Sequence, residues 1–179
     1  MPHPRPTRLL TFLLLLPLLA VPTVAGSEEI RAKLIGFQEV PSVSTVASGE
    51  FHADISRDGS AIDWELTFSG LQAAVTQAHI HVGQRSVNGG IVIWLCQTTV
   101  NPAPDSVKTL TQTCPQSGTI TGTATAANVV ATAANQQIAA GELAEVIAAI
   151  RARVAYANVH TSASPGGEIR GQIRASDRD

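Results

Sequence analysis

Three histidines carry the chemistry this sequence can offer. His79 and His81 stand two apart in Ala78-His79-Ile80-His81-Val82-Gly83. In an extended strand alternate side chains share a face, so both imidazoles point one way while Ile80 and Val82 point the other. A second stretch, Tyr156-Ala157-Asn158-Val159-His160-Thr161, has the same alternation. Paired as a hairpin with Glu168 to Ile173, it sets His160 opposite Glu168, Asn158 opposite Arg170 and Tyr156 opposite Gln172. Gln77, His79 and His81 make another polar face. The expectation is that the two faces meet and that His79, His81 and His160 converge. Three imidazoles suit zinc or copper, with a fourth position open. Glu168 would be a fourth ligand or would orient a histidine from behind. The competing expectation is a polar network without an ion. There Arg170 pairs with Glu168, and Asn158 and Gln77 extend a ladder that specifies register. Contact with some other ligand is the third. Ring nitrogens more than about 5–6 Å apart would argue against a shared ion, since ligand bonds are near 2 Å.

Other chemistries find little support. There is no Gly-x-Ser-x-Gly elbow and no glycine-rich phosphate loop. Cys96 and Cys114 lack Cys-x-x-Cys spacing and read as a disulfide closing a Pro-rich excursion. Glu39 reads as a turn cap before Pro41 or as the partner of an arginine. Trp94 lies in the apolar run Ile91 to Cys96 and reads as core. The residues favour binding over catalysis.

Those strands must be carried by a domain of ordinary size within the 179 residues. Residues 1–26 have the charged, apolar, small-residue order of a secretory signal peptide, with Leu9 to Val21 nearly all apolar. Cleavage near Ala25 or Gly26 would leave one domain, 27–179, with no membrane span, secreted to the periplasm or cell surface. The segment holds Arg5 and Arg8 and none of the 14 acidic residues, so the remainder is net acidic. No basic run appears, which argues against nucleic acid and anionic membranes as partners. An extracellular ligand or protein is the expected partner.

Glu28 to Ile35 reads as a strand burying Ile30, Ala32 and Leu34. Glu50 to Ser56 and Ala61 to Phe68 form a hairpin about Asp58-Gly59, a turn in which both residues take positive φ. Its register sets Phe51 opposite Leu66 and His52 opposite Glu65. Further strands fall at Val75 to Val82, Ile91 to Cys96, Gly118 to Ala124, Val154 to His160 and Glu168 to Arg174. One helix is expected over about 142–152, from Leu143, Val146, Ile147 and Ile150. About eight strands, with one short helix before the last two, predict an all-β antiparallel Greek-key sandwich or barrel. Asp177 to Asp179 reads as a frayed end.

Five motifs in this order resemble the chordin-type CHRD domain over roughly residues 29–174. They are Phe37-x-Glu39-Val40-Pro41, Ala78-His79-Ile80-His81-x-Gly83, Asn88-Gly89, Tyr156-x-Asn158-Val159-His160-Thr161, and Pro165-Gly166-Gly167-Glu168-Ile169-Arg170-Gly171-Gln172-Ile173. The segment before Tyr156 departs: Arg151-Ala152-Arg153 stands where a glycine is usual. The resemblance implies a β-rich extracellular domain of undefined biochemical role; the residues themselves make an extracellular binding module, with a metal site at the histidines, the expectation. A fainter likeness to copper–zinc superoxide dismutases, which share a His-x-His strand and a disulfide, makes a metal-dependent redox enzyme the alternative. The bridging and zinc-site residues of those enzymes have no counterpart here. A metal-free cell-surface interaction module is the remaining reading.

Overall fold

The computed structural model describes Met1 and residues 26–176. The segment read as a signal peptide lies outside the described residues apart from its two ends, as does 177–179. Ten strands and one helix follow in chain order: β1 Glu28–Ile35, β2 Ser48–Ile55, β3 Ala61–Ser69, β4 Val75–Val82, β5 Gly90–Gln97, β6 Gln112–Thr113, β7 Gly118–Thr125, α1 Leu143–Arg151, β8 Ala155–Thr161, β9 Ile169–Gln172 and β10 Arg174–Ala175. They build one curled sheet, a half-barrel, ordered β6-β5-β4-β8-β9-β1-β2-β3-β7, with β10 also on β1. The all-β class with one short helix is as expected. The count differs by two strands of two residues each, too short for alternation to reveal. One of them, β6, runs parallel to β5, so the sheet is mixed. Three strands follow the helix instead of two, because the last breaks at Ile173 and its end pairs with β1 at Ile30 and Arg31.

The β2–β3 hairpin has the expected register, with Phe51 opposite Leu66, Ile55 opposite Ile62 and His52 opposite Glu65. Its turn differs. The loop spans Arg57 to Ser60, and only Gly59 takes positive φ, at 69°. Asp58 instead accepts the Ser60 backbone N–H at 3.1 Å, the local bond that favours Asp in turns. Strict alternation buries Phe51, Ile55, Ile62 and Leu66 completely. Truncating one of these to alanine costs about 2–5 kcal/mol.

Helix α1 buries Leu143, Val146, Ile147 and Ile150, spaced three, four and seven apart, on the core. It ends in a Schellman turn: Val154 N–H donates to Ala149 O and Arg153 N–H to Ile150 O, both at 2.9 Å. Arg153 takes the left-handed position of that turn, with φ 61°. This is the place where a glycine was expected, and the connection closes without one.

Cys96 and Cys114 are disulfide-bonded, with Cα atoms 4.9 Å apart. The bridge lies beside the β5–β6 pairing, where Cys114 N–H donates to Gln97 O. Among the described residues no helix is long and apolar enough to cross a membrane.

Candidate metal site

Strand β8 lies between β4 and β9. Register therefore aligns three rows across three strands on one sheet face. His81 stands opposite Tyr156 and Tyr156 opposite Gln172; His79 opposite Asn158 and Asn158 opposite Arg170; Gln77 opposite His160. Glu168 continues the last row, its N–H donating to Val159 O at 2.8 Å. The two polar faces do meet, side by side in one sheet rather than across a sandwich.

The face is dry because loops cover it. His79, His81 and His160 are 0, 7 and 5% exposed. The segment after β4 folds back over the face. Arg170 donates to Gln84 O at 3.1 Å, Val87 O at 2.8 Å and Asn88 Oδ1 at 3.2 Å. Asn88 donates in turn to Val40 O at 3.0 Å, which ties in the Glu39-Val40-Pro41 turn. At Gly89 a Cβ would collide with the Val82 backbone, so this fold-back requires glycine. At Gly167, φ 124°, a Cβ would collide with the Glu39 carboxylate.

Potential ligand nitrogens of His79, His81 and His160 all lie within 4.8 Å of one another. A tetrahedral site with Zn–N bonds near 2.0–2.1 Å places its nitrogens roughly 3.3 Å apart, so small side-chain rotations would close the set. The hydrogen bonds fix the tautomers. A carbonyl only accepts, so His81 Nδ1–H donates to Gly89 O and His160 Nδ1–H to Pro165 O, each at 2.9 Å. Neutral imidazoles then keep lone pairs on both Nε2 atoms. His160 Nε2 is 3.2 Å from His79 Nδ1, so the shared proton belongs to His79 and leaves its Nε2 bare as well. The Nε2 atoms of His79 and His81 are buried without any hydrogen-bond partner. Asn158 Oδ1 lies 3.1 Å from His160 Nε2, a further acceptor in the same place.

Burial keeps these rings neutral. It holds His79 well below its ordinary value, aided by the His160 and His81 imidazoles. It pushes His81 down to about 4, partly opposed by the bond to Gly89 O. It lowers His160 too, partly opposed by Pro165 O. Aromatic contacts fix the rings: His81 stacks on Tyr156 at 4.7 Å between centroids, and His79 meets Trp94 edge-on at 4.2 Å. The Arg170 guanidinium carbon lies 3.3 Å from the Tyr156 ring centroid on the same stack.

Three expectations need correction. Glu168 is neither in the histidine cluster nor paired with Arg170. Its carboxylate accepts from Thr45 Oγ1 at 2.8 Å, Gln72 N–H at 2.9 Å and Thr161 Oγ1 at 2.8 Å. Glu168 stands one residue before β9 begins, and its carboxylate turns to the flanking loops. Gln77 stands in the expected row but is only half-buried and makes no side-chain hydrogen bond to the cluster. Trp94 is half-buried against His79 instead of in the core.

Glu39 was not expected at the site. It is 5% exposed, with Oε1 unpartnered. Burial pushes its carboxyl up to about 7, against the Arg170 charge, the Val40 N–H and the Asn158 amide, which pull it down. The only sequence signal for it was its place in the Phe37-x-Glu39-Val40-Pro41 motif.

The motifs that cluster here are the ones that carried the resemblance. A family model, the CHRD domain, matches residues 30–173. The chain belongs to the CHRD domain family. No curated protein and no solved structure matches it. Within this CHRD domain, all five motifs contribute to one buried face and its cover.

Proposed function

We propose that this CHRD domain is an exported binding module that holds one zinc or copper ion at His79, His81 and His160. One observation carries the reading: three buried, neutral imidazoles each bring a ring nitrogen within 4.8 Å of the others, and two of their Nε2 atoms have no donor. Buried acceptors without a donor cost about 1–3 kcal/mol each. Two of the rings have their opposite N–H given to a backbone carbonyl, the usual outer support of a metal-bound histidine. Asn158 and Tyr156 brace the set, and Arg170 holds the covering loop. Burial of all three rings favours retention of an ion over turnover, so a binding role is preferred to dismutase-like catalysis. The disulfide fits an oxidising, extracytoplasmic setting.

Untagged protein, stripped of metal and dialysed against zinc or copper, should retain about one ion per chain by elemental analysis. His79→Ala and His160→Ala should reduce that at least tenfold. Sub-stoichiometric metal, unchanged by either substitution, would overturn the reading in favour of an ion-free polar network.

A further inference from the structure

A second site lies where α1 returns to the sheet. The Schellman turn puts Arg153 in the left-handed region, φ 61°, which costs a non-glycine residue about 1 kcal/mol. The buried amide of Gln172 holds the turn there, donating to Arg153 O and to Gly83 O, each at 3.0 Å. Around this amide is a cavity of about 160 Å³ lined by Arg85, Arg153, Gln172, Ile173 and Arg174. Three arginines line it, all of them solvent-exposed residues, and no acidic residue does. Pairing of β10 with β1 also sets Arg31 directly opposite Arg174, and like charges so placed repel. The ion pairs among the described residues, Arg151 with Glu28 and His52 with Glu50, involve none of these four arginines. They come from four separate segments, so the linear sequence shows no basic run; the fold assembles one.

We propose that this cavity binds a small tetrahedral oxyanion, inorganic phosphate or sulfate. Guanidinium forks match such oxygens in paired hydrogen bonds. A bound dianion would relieve both the mutual repulsion of the arginines and the concentration of unpaired charge. The volume is below the roughly 300 Å³ at which pockets for larger organic ligands begin, so the site takes the ion itself. Arg153 takes an unfavourable backbone conformation and is one of the residues that line the cavity. This site is separate from the histidines and stands whether or not they hold a metal.

The test uses metal-free, untagged protein titrated with inorganic phosphate, ionic strength held constant with chloride, with Tm and calorimetry as readouts. A saturable rise in Tm is expected for the wild type. Arg153→Gly relieves the backbone strain, so this variant should fold at least as stably while binding phosphate about tenfold more weakly. Arg174→Gln should weaken binding similarly, and Lys108→Gln, beside Gln97 at the opposite end of β5 from the cavity, should leave it unchanged. Equal phosphate responses in wild type and Arg153→Gly, or a wild-type response no larger than with chloride, would overturn the proposal.

Discussion

The β2–β3 hairpin and the β4–β8–β9 face are built on the same alternation and end in opposite environments. On the hairpin, His52 stands opposite Glu65 and both face water. On the other face, His79 stands opposite Asn158 and neither does. The strands themselves do not decide this. Among the described residues His52 stays exposed, whereas the segment after β4 bonds to His81 and the Pro165 turn to His160, on either side of the buried His79. Alternation says which side chains share a face; the cover decides whether that face is wet or dry.

That contrast can be broken most forcefully at Arg170. It is 2% exposed and holds three acceptors of the covering loop. Arg170→Ala should lower stability by about 3–5 kcal/mol in chemical denaturation, because it leaves three loop acceptors without their charged donor. A loss below 1 kcal/mol would mean that the cover is not held from beneath. Next in size is Glu168→Ala, which leaves Thr45, Thr161 and the Gln72 N–H without their acceptor. About 1–3 kcal/mol should go, and zinc uptake on loading should match that of the wild type, since Glu168 stands outside the histidine cluster.

Acid provides the third test. Above about pH 6.5 the three buried histidines are neutral in both folded and unfolded chains and contribute no pH dependence. As pH falls toward 4, the unfolded chain takes up protons that the native rings refuse, and stability drains away. Glu39 runs the other way. Its carboxyl is raised from 4.5 to about 7, so its contribution is full below pH 4.5 and lost as pH rises through 7. Three histidines outweigh one carboxylate, so Tm of the metal-free protein should fall between pH 6.5 and 4.5. A flat or rising Tm would contradict neutral, buried imidazoles. Smallest of all, His52→Gln or Glu65→Gln on the wet hairpin should change stability by no more than about 0.5 kcal/mol.

The same contrast explains what was legible. Strand positions, the hairpin registers and the helix followed from alternation and turn chemistry, because Phe51, Ile55, Ile62 and Leu66 bury by a period-two rule. The Asn158–Arg170 pairing followed too, from the last hairpin's register; that the histidine faces meet was an expectation whose register, His79 beside Asn158, only the fold supplies. Glu39 escaped because it sits on a turn with no periodicity, brought in by Gly167 and by the Asn88–Val40 bond. Glu168 was misplaced because register fixes a Cα row, not where a flexible carboxylate turns beyond the strand end. The arginine cavity was invisible for a similar reason: three isolated cations, distant in sequence, meet only after α1 and β10 dock.

The placement of Trp94 has an optical consequence. The chain contains two tryptophans and one tyrosine. Trp94 touches His79 edge-on, while Trp64 lies in the core of the β2–β3 hairpin. Indole emission is quenched by a neighbouring imidazolium and by copper. In a Trp64→Phe background the remaining emission would therefore come from a single reporter in contact with the histidine cluster. Its intensity would follow proton or copper entry directly, with no label attached and no part of the buried face altered.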